Sequence, residues 1–533
     1  MVQRKTQTPA YWQSQFTVSS KDIEFIYNQI LEANRVFTLD EIALTLVRRQ
    51  YQAEELAARS EFQQGRLYQP KESYAAGEQV VFPALDFAVG TVKTVRPGHH
   101  PVHGTFNVIE VSFDNGSVMR EFATNFDRPH PLNLDSNQSL ASLQGLISPE
   151  EIYQSYGGDF IRPKVEAALV NSNDFVQFHD QYFLRDLLPD FHEGLFNIAD
   201  AAVDINNGPL SVDALIEQMG LAESKDITDT LRFSVSYRLA NDERFDDVGP
   251  TGQVLWYLER IEPPEAHHAP RRLQVDPGQS YNVNSFDEDL KALLAEIDDE
   301  ATLPEDVPAI GPDTPSVTIV LNYPHRRVGT LPITPKTQSF FPTSYYNPVL
   351  FEFVDGRTGD VIPSWSVLND KYVFGLDEWY TKNKLPVGAY INIKRTDNPM
   401  RLVVDYQTLR AQRDWVRTAT VSGNKLVFQM SKEAISGRYD ELMIIGESNP
   451  AQIDTLWLNA LEKKLSIYDI LCQVFPELSK LNPQSTVHAK TLYSAVNIIQ
   501  RAGPGPIFQE LVKHRCFIPM KNGYWIYDPN LRD

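Results

Sequence analysis

The alternation of apolar and polar positions divides the 533-residue chain into stretches of different period. Between Val317 and Asp405 the period is two. Val349, Phe351 and Phe353 alternate with Leu350, Glu352 and Val354, which predicts a strand with one buried face. Asp355-Gly356 and then Gly359 close a turn, Tyr372 and Phe374 share one face of a following strand, and Asp377 caps a short helix carrying Trp379 and Tyr380. Pro386 to Gly388 turns the chain into a last strand, Tyr390 to Arg395.

Before this block the period shifts repeatedly. Lys21 to Ala33 and Leu39 to Phe62 read as helices, with Ser20 capping the first and Thr38 to Glu41 (TLDE) forming a capping box for the second. The pair has the size of a helix-turn-helix, and equally that of a plain helical hairpin. Tyr74 to Ala123 reads as five short strands, with Asn115-Gly116 as a hairpin signal, and Ser148 to Pro189 as helical and aromatic. Phe191 to Glu262 gives three helices, stopped by Asn207-Gly208-Pro209 and Gly220, and then two strands about a Gly-Pro-x-Gly turn. Pro263 to Pro315 is acidic and Pro-rich, with one short helix at Asp287 to Ile297. Its composition predicts a solvated linker, the alternative being a mimic of DNA that competes for a basic partner surface. After the central block come strands at Val416 to Thr420, Lys425 to Gln429 and Leu442 to Gly446. Helices at Ile467 to Leu478, Val487 to Arg501 and Pro506 to His514 follow, and then two strands around Asn522-Gly523.

The predicted fold is therefore multi-domain α+β. Its parts are a helical N-terminal region (1–72), a small β-barrel (73–130), a helical connector (131–190), a winged helix (191–262), the linker (263–315), a β pseudobarrel with a β extension (316–447) and a second winged-helix-like domain (448–533). The small barrel resembles SH3-like barrels of Tudor and KOW type. In the winged segment, Asp242, Arg244, Phe245, Val248 and Gly249, followed by Trp256 and Leu258, make the pattern D-x-R-F-x-x-V-G and W-x-L, which is similar to the HARE-HTH family. That resemblance implies DNA binding, or docking within transcription or restriction machinery. Its third helix would present Arg232, Ser236, Arg238 and Asn241, although Asp226, Asp229, Asp242, Glu243, Asp246 and Asp247 oppose phosphate there. Residues 317–405 resemble the B-three pseudobarrel of plant transcription factors and restriction-enzyme effector domains. The likeness is carried by Leu331, Ile333, Phe341, Pro342, Leu376, Trp379, Tyr380, Leu385, Gly388, Ile391 and Ile393. The family commonly has Asp after that Gly; here it is Ala389, so the likeness is to the skeleton and not to the DNA-reading positions.

Charge sharpens the expectation. The chain carries a formal net charge of -21, which argues against a uniformly nucleic-acid-binding surface, yet Ser316 to Asp533 holds 25 Lys+Arg against 20 Asp+Glu. Double-stranded DNA is therefore the expected partner of the C-terminal half, through Arg326, Arg327, Lys336, Lys371, Lys382, Lys384, Lys394 and Arg395, with Arg232 and Arg238 in the winged helix. RNA polymerase or another protein is the expected partner of the barrel and winged helix, and a protein-interaction scaffold is the alternative function.

No nucleotide, zinc or hydrolase signature occurs, so the reading is non-enzymatic, without cofactor or metal. His99, His100 and His103 cluster in one loop without a completing ligand set, and Pro189-Asp190 with Glu223-Ser224-Lys225 matches a nuclease motif only in form. Two cysteines, Cys472 and Cys516, give no disulfide framework. The sequence offers neither a secretory h-region after its start nor a membrane-spanning apolar run, so a cytoplasmic protein is expected.

Overall fold

A computed structural model describes residues 5–61, 66–85, 88–101, 103–113, 118–133, 147–221, 227–308, 310–311, 313–345 and 348–532. The fold is mixed α+β with several sheets, and it divides into two compact units, residues 1–191 with 225–238, and residues 192–224 with 239–533. Among the described residues no helix is long and apolar enough to cross a membrane.

In the first unit, α1 (Ser20–Ala33) is capped by Ser19, one residue before the expected cap, because Asp22 returns a hydrogen bond to Ser19 and completes a capping box. β1 (Phe37–Thr38) leads into α2 (Leu39–Glu61). The expected box is present there: Thr38 N donates to Glu41 Oε2 at 2.9 Å and Glu41 N donates to Thr38 Oγ1 at 3.2 Å. Five strands, β2 (Arg66–Leu67), β3 (Gln79–Phe82), β4 (Ala88–His100), β5 (Gly104–Phe113) and β6 (Val118–Thr124), then form one sheet in chain order over a core of Tyr68, Val80, Phe82, Ile109 and Val111. Asn115-Gly116 lies outside the described residues. After α3 (Pro149–Tyr156) and α4 (Arg162–Val170) come two strands where the sequence predicts helix, β7 (Phe175–Phe178) and β8 (Gln181–Leu184). Phe175, Val176 and Phe178 are buried, as are Tyr182, Phe183 and Leu184, so neither strand shows a period of two.

The second unit begins with α5 (Glu193–Asn206), β9 (Leu210–Ser211) and α6 (Val212–Gln218). The chain passes through α7 (Asp229–Ala240), most of which groups with the first unit, and then β10 (Phe245–Asp247) and β11 (Leu255–Leu258). Residues 263–315 are not the solvated tether that their composition predicts. They contain α8 (Pro264–His267) and α9 (Glu288–Ile297), and Phe286, Leu290, Leu293, Leu294 and Ile297 are buried in the same core as the C-terminal helices.

The acids of this segment are held as well. Arg501 Nη2 lies 2.6 Å from Asp299 Oδ1 and 2.5 Å from Glu300 Oε1, and His325 Nε2 lies 3.0 Å from Glu300 Oε1. The Tyr493 hydroxyl donates to Asp299 Oδ2 at 2.6 Å. An apolar helix face plus a buried guanidinium thus overrides what acidic composition alone implies.

Next come β12 (Ser316–Val320), α10 (Tyr323–Val328), β13 (Thr330–Pro332), β14 (Val349–Asp355), β15 (Val361–Val367), β16 (Tyr372–Phe374), α11 (Asp377–Lys382), β17 (Tyr390–Arg395) and β18 (Arg401–Tyr406). The strands form a seven-stranded sheet in the order β12-β17-β18-β14-β15-β16-β13, parallel only where β14 meets β18. The period-two residues Phe351 and Phe353 pack with Trp379, Tyr380, Ile391 and Ile393, and Trp379 Nε1 donates to Asp355 Oδ2 at 3.0 Å. Gly388, at φ +81, is required by close approach: a Cβ there would meet Ile445 Cδ1 at 2.9 Å.

A long hairpin, β19 (Thr408–Ser422) and β20 (Lys425–Gly437), follows with β21 (Gly446–Glu447), to which the strand expected at Leu442 to Gly446 is reduced. The chain ends with α12 (Pro450–Glu462), α13 (Ile467–Ser479), β22 (Val487–His488), α14 (Ala489–Ile499), α15 (Pro504–Lys513), β23 (Phe517–Pro519) and β24 (Tyr524–Tyr527).

Among the described residues one order of elements occurs three times, the first time with α3 and the five-stranded sheet interposed: helix, short strand, helix, helix, strand, strand. The sets are α1-β1-α2-α4-β7-β8, α5-β9-α6-α7-β10-β11 and α13-β22-α14-α15-β23-β24. In each, the last strand lies in the middle of a three-stranded sheet. Phe37, Leu210 and Val487 on the short strand face Tyr182, Trp256 and Trp525 on that central strand, and all three aromatic residues are buried. The residue ending each short strand, Thr38, Ser211 or His488, accepts a hydrogen bond from the first turn of the second helix. In the first set the five-stranded sheet is inserted between the second and third helices, which hides the repeat from a linear reading.

Candidate docking surface

The β19–β20 hairpin turns at Gly423 and Asn424, whose φ values of +55 and +60 are those of a type I′ turn, the turn whose twist suits a two-residue hairpin. Opposite residues alternate between its two faces. On one face Ala419, Leu426 and Phe428 are buried in the C-terminal core. Further along that same face the register pairs Trp415 with Lys432, Arg417 with Met430, and Arg413 with Ala434. Here the cover ends. Trp415 is 60% and Met430 42% exposed, and Arg413, Lys432 and Ala434 are exposed with them. Among the described residues Arg413 and Lys432 form no ion pair. Arg417 differs: burial holds it below its usual value, and its guanidinium donates to the Glu441 carbonyl.

The cations picked out from the sequence lie mostly against intramolecular partners. Arg326 Nε donates to the Leu385 carbonyl at 2.7 Å, Arg327 Nη2 pairs with Asp454 at 2.6 Å, and Lys336 Nζ donates to the Ala295 carbonyl at 2.5 Å. Lys371 Nζ donates to the Glu300 carbonyl at 3.0 Å, and Arg395 bonds Thr314 and Ser339 while covering the Phe340 ring. Lys382 pairs with Asp360 at 2.8 Å in solvent, and Arg232 with Asp229 at 2.8 Å. Arg238 is exposed near the end of α7, whereas Ser236 beside it is buried. Lys394 is exposed, Lys384 takes φ +51, and neither forms an ion pair among the described residues. Among the described residues of the second unit, Arg326, Arg327, Lys336, Lys371, Lys382 and Arg395 are thus each engaged within the chain.

Trp415 and Met430 are the residues that sequence reasoning missed. The strands expected at Val416 to Thr420 and Lys425 to Gln429 stop one residue short of both, and only the longer ribbon, Thr408–Ser422 with Lys425–Gly437, takes them in. A second apolar feature lies on α5, where Ile198 is 45% and Ile205 85% exposed, seven residues apart and hence on one helix face. Of the chemical motifs weighed from sequence, the His100 and His103 rings lie tilted to each other with centroids 4.7 Å apart at the β4–β5 turn, and Glu223 to Lys225 lie outside the described residues. No family model, curated protein or solved structure matches this chain.

Proposed function

We propose that this chain is a non-enzymatic scaffold built from three winged helices, an SH3-like barrel and a pseudobarrel, and that it docks a protein partner of transcription or restriction machinery through the exposed face of the β19–β20 ribbon. The observation that carries the docking role is the Arg413, Trp415, Met430 and Lys432 patch. Trp, Met and Arg are the residues enriched at interface centres, and here an apolar face continues past the end of its own core. The winged-helix reading is supported by the order of elements repeated three times and by its matching wing registers. The pseudobarrel reading is supported by seven strands with short helices on the β12–β13 and β16–β17 connections.

Scaffolding accounts better than DNA reading for the third helices of the first and last sets. Pro504 to Phe508 of α15 are buried, and Lys164 of α4 donates to the carbonyls of Trp12, Gln13 and Phe16. Co-purification from native lysate on the tagged full chain tests the proposal. A protein captured by the parent should persist after nuclease treatment and be lost with Trp415→Ala, whose fold is unchanged by circular dichroism. Loss on nuclease treatment overturns the reading.

A second reading, duplex DNA binding through the C-terminal half, is favoured by Arg413, Lys432, Lys384 and Lys394, which form no ion pair among the described residues. It requires each of these to contribute about 0.9 to the slope of log affinity against log salt.

A further inference from the structure

We infer that Asp246, Glu262 and His267 form a binding site for one first-row divalent cation of the zinc class. The three come from separate elements: Asp246 from the middle of β10, Glu262 from just beyond the 3-10 turn Glu259–Ile261, and His267 from the end of α8. One ligand atom from each lies within 4.8 Å of the other two.

The observation that points to a ligand is Glu262. Its side chain is 0% exposed, yet neither carboxylate oxygen makes a hydrogen bond, and neither does His267 Nε2, which stands 2.9 Å from Glu262 Oε2. A buried carboxylate without donors is strongly disfavoured, and buried charges are as a rule paired or bound to metal. Among the described residues His267 is the ion-pair partner within reach, charged only if protonated, and the nearby Arg260 pairs instead with Asp200 and Asp204.

Two carboxylates and an imidazole match a dication in charge and hardness, and the imidazole favours zinc-like ions over magnesium or calcium. Ligands at about 2.1 Å from a tetrahedral ion stand about 3.4 Å apart, so closure needs roughly 1 Å of movement, which the half-buried Asp246 can supply. Three protein ligands leave a fourth position on the side where His267 is 27% exposed, open to water or a partner's side chain. The bound ion would tie β10 to α8, whose Ala266 packs with Val248 and Trp365 against the seven-stranded sheet.

The test uses the full chain, stripped with chelator and dialysed against zinc, with metal analysis and, in parallel, cobalt absorption. The parent should retain one equivalent and give the visible bands of a low-coordinate cobalt site. Glu262→Gln, which keeps shape, and Asp246→Asn, at a partly exposed position, should each lose that equivalent while melting normally in chelator. His100→Ala with His103→Ala should keep it. Failure of the parent to retain zinc overturns the inference. So does equal retention by Glu262→Gln and Asp246→Asn, or loss only in the His100/His103 variant.

Discussion

Replacing Arg501 by Met keeps about the aliphatic stem of the side chain and removes its charged head, leaving Asp299 and Glu300 buried without their cation. The three side chains are 1%, 0% and 7% exposed, so water cannot take the place of the guanidinium. Removing one partner of a buried pair costs about 3–5 kcal/mol. The Tyr493 hydroxyl on Asp299 and His325 beside Glu300 remain, which puts the expected loss near the lower end, about 3 kcal/mol. With a urea dependence of about 3 kcal/mol per molar, the midpoint falls by about 1 M.

Pulse proteolysis in urea, with fragments located by mass, reads the second unit separately, and the transition of the first unit serves as reference. Arg501→Met combined with Asp299→Asn and Glu300→Gln should recover at least half of the loss, because it removes the orphaned charges. A shift below about 0.2 M for Arg501→Met, or a triple variant no more stable than the single one, would refute the reasoning.

The same network fixes the sign of an acid effect. Burial pushes the Glu300 carboxyl up, but Arg501 and His325 override it and hold the group well below the usual carboxylate range. Its stabilising contribution is therefore full above the unfolded value of about 4.3 and is lost as pH falls below that toward the folded value. The acid loss should be smaller in the triple variant.

Leu294→Ala, at a position 1% exposed, should cost about 2–5 kcal/mol and open residues 263–315 to a protease that the parent resists. Trp256→Ala and Trp525→Ala remove the buried aromatic from the central strand of two equivalent three-stranded sheets and should each cost about 3–5 kcal/mol by chemical unfolding; a loss under 1 kcal/mol in either would separate the repeats. At the ribbon turn, where Gly423 has φ +55, Gly423→Val should cost about 1–2 kcal/mol, while Asn424→Gly should stay within about 0.5 kcal/mol by thermal melting.

Much of the fold was legible where elements are long or their turns are chemically marked. The β14 alternation, the Thr38–Glu41 box and the C-terminal helices all appear near their expected bounds. What composition obscured was α9: ten acids in the surrounding segment masked the stripe Phe286, Leu290, Leu293, Leu294 and Ile297, which has helical spacing and is buried. The first repeat was illegible for a different reason, since β1 and its partner β8 are separated by more than 140 residues that include an inserted sheet. The site was the least legible part. Whether an Arg or Lys is free depends on carbonyls and carboxylates distant in sequence, as with Lys336 and Ala295 or Arg327 and Asp454. Likewise Asp246, Glu262 and His267 have no recognisable metal spacing until β10 and α8 bring them together.

Photo-crosslinking from position 415 tests the docking claim most directly. With Trp415 replaced by p-benzoylphenylalanine in the full chain expressed in its own cells, the account predicts a discrete protein adduct that survives nuclease digestion and disappears when Met430→Ala and Lys432→Ala are added. Adducts that nuclease removes, or none above those formed from a probe at the equally exposed Leu56, would contradict it.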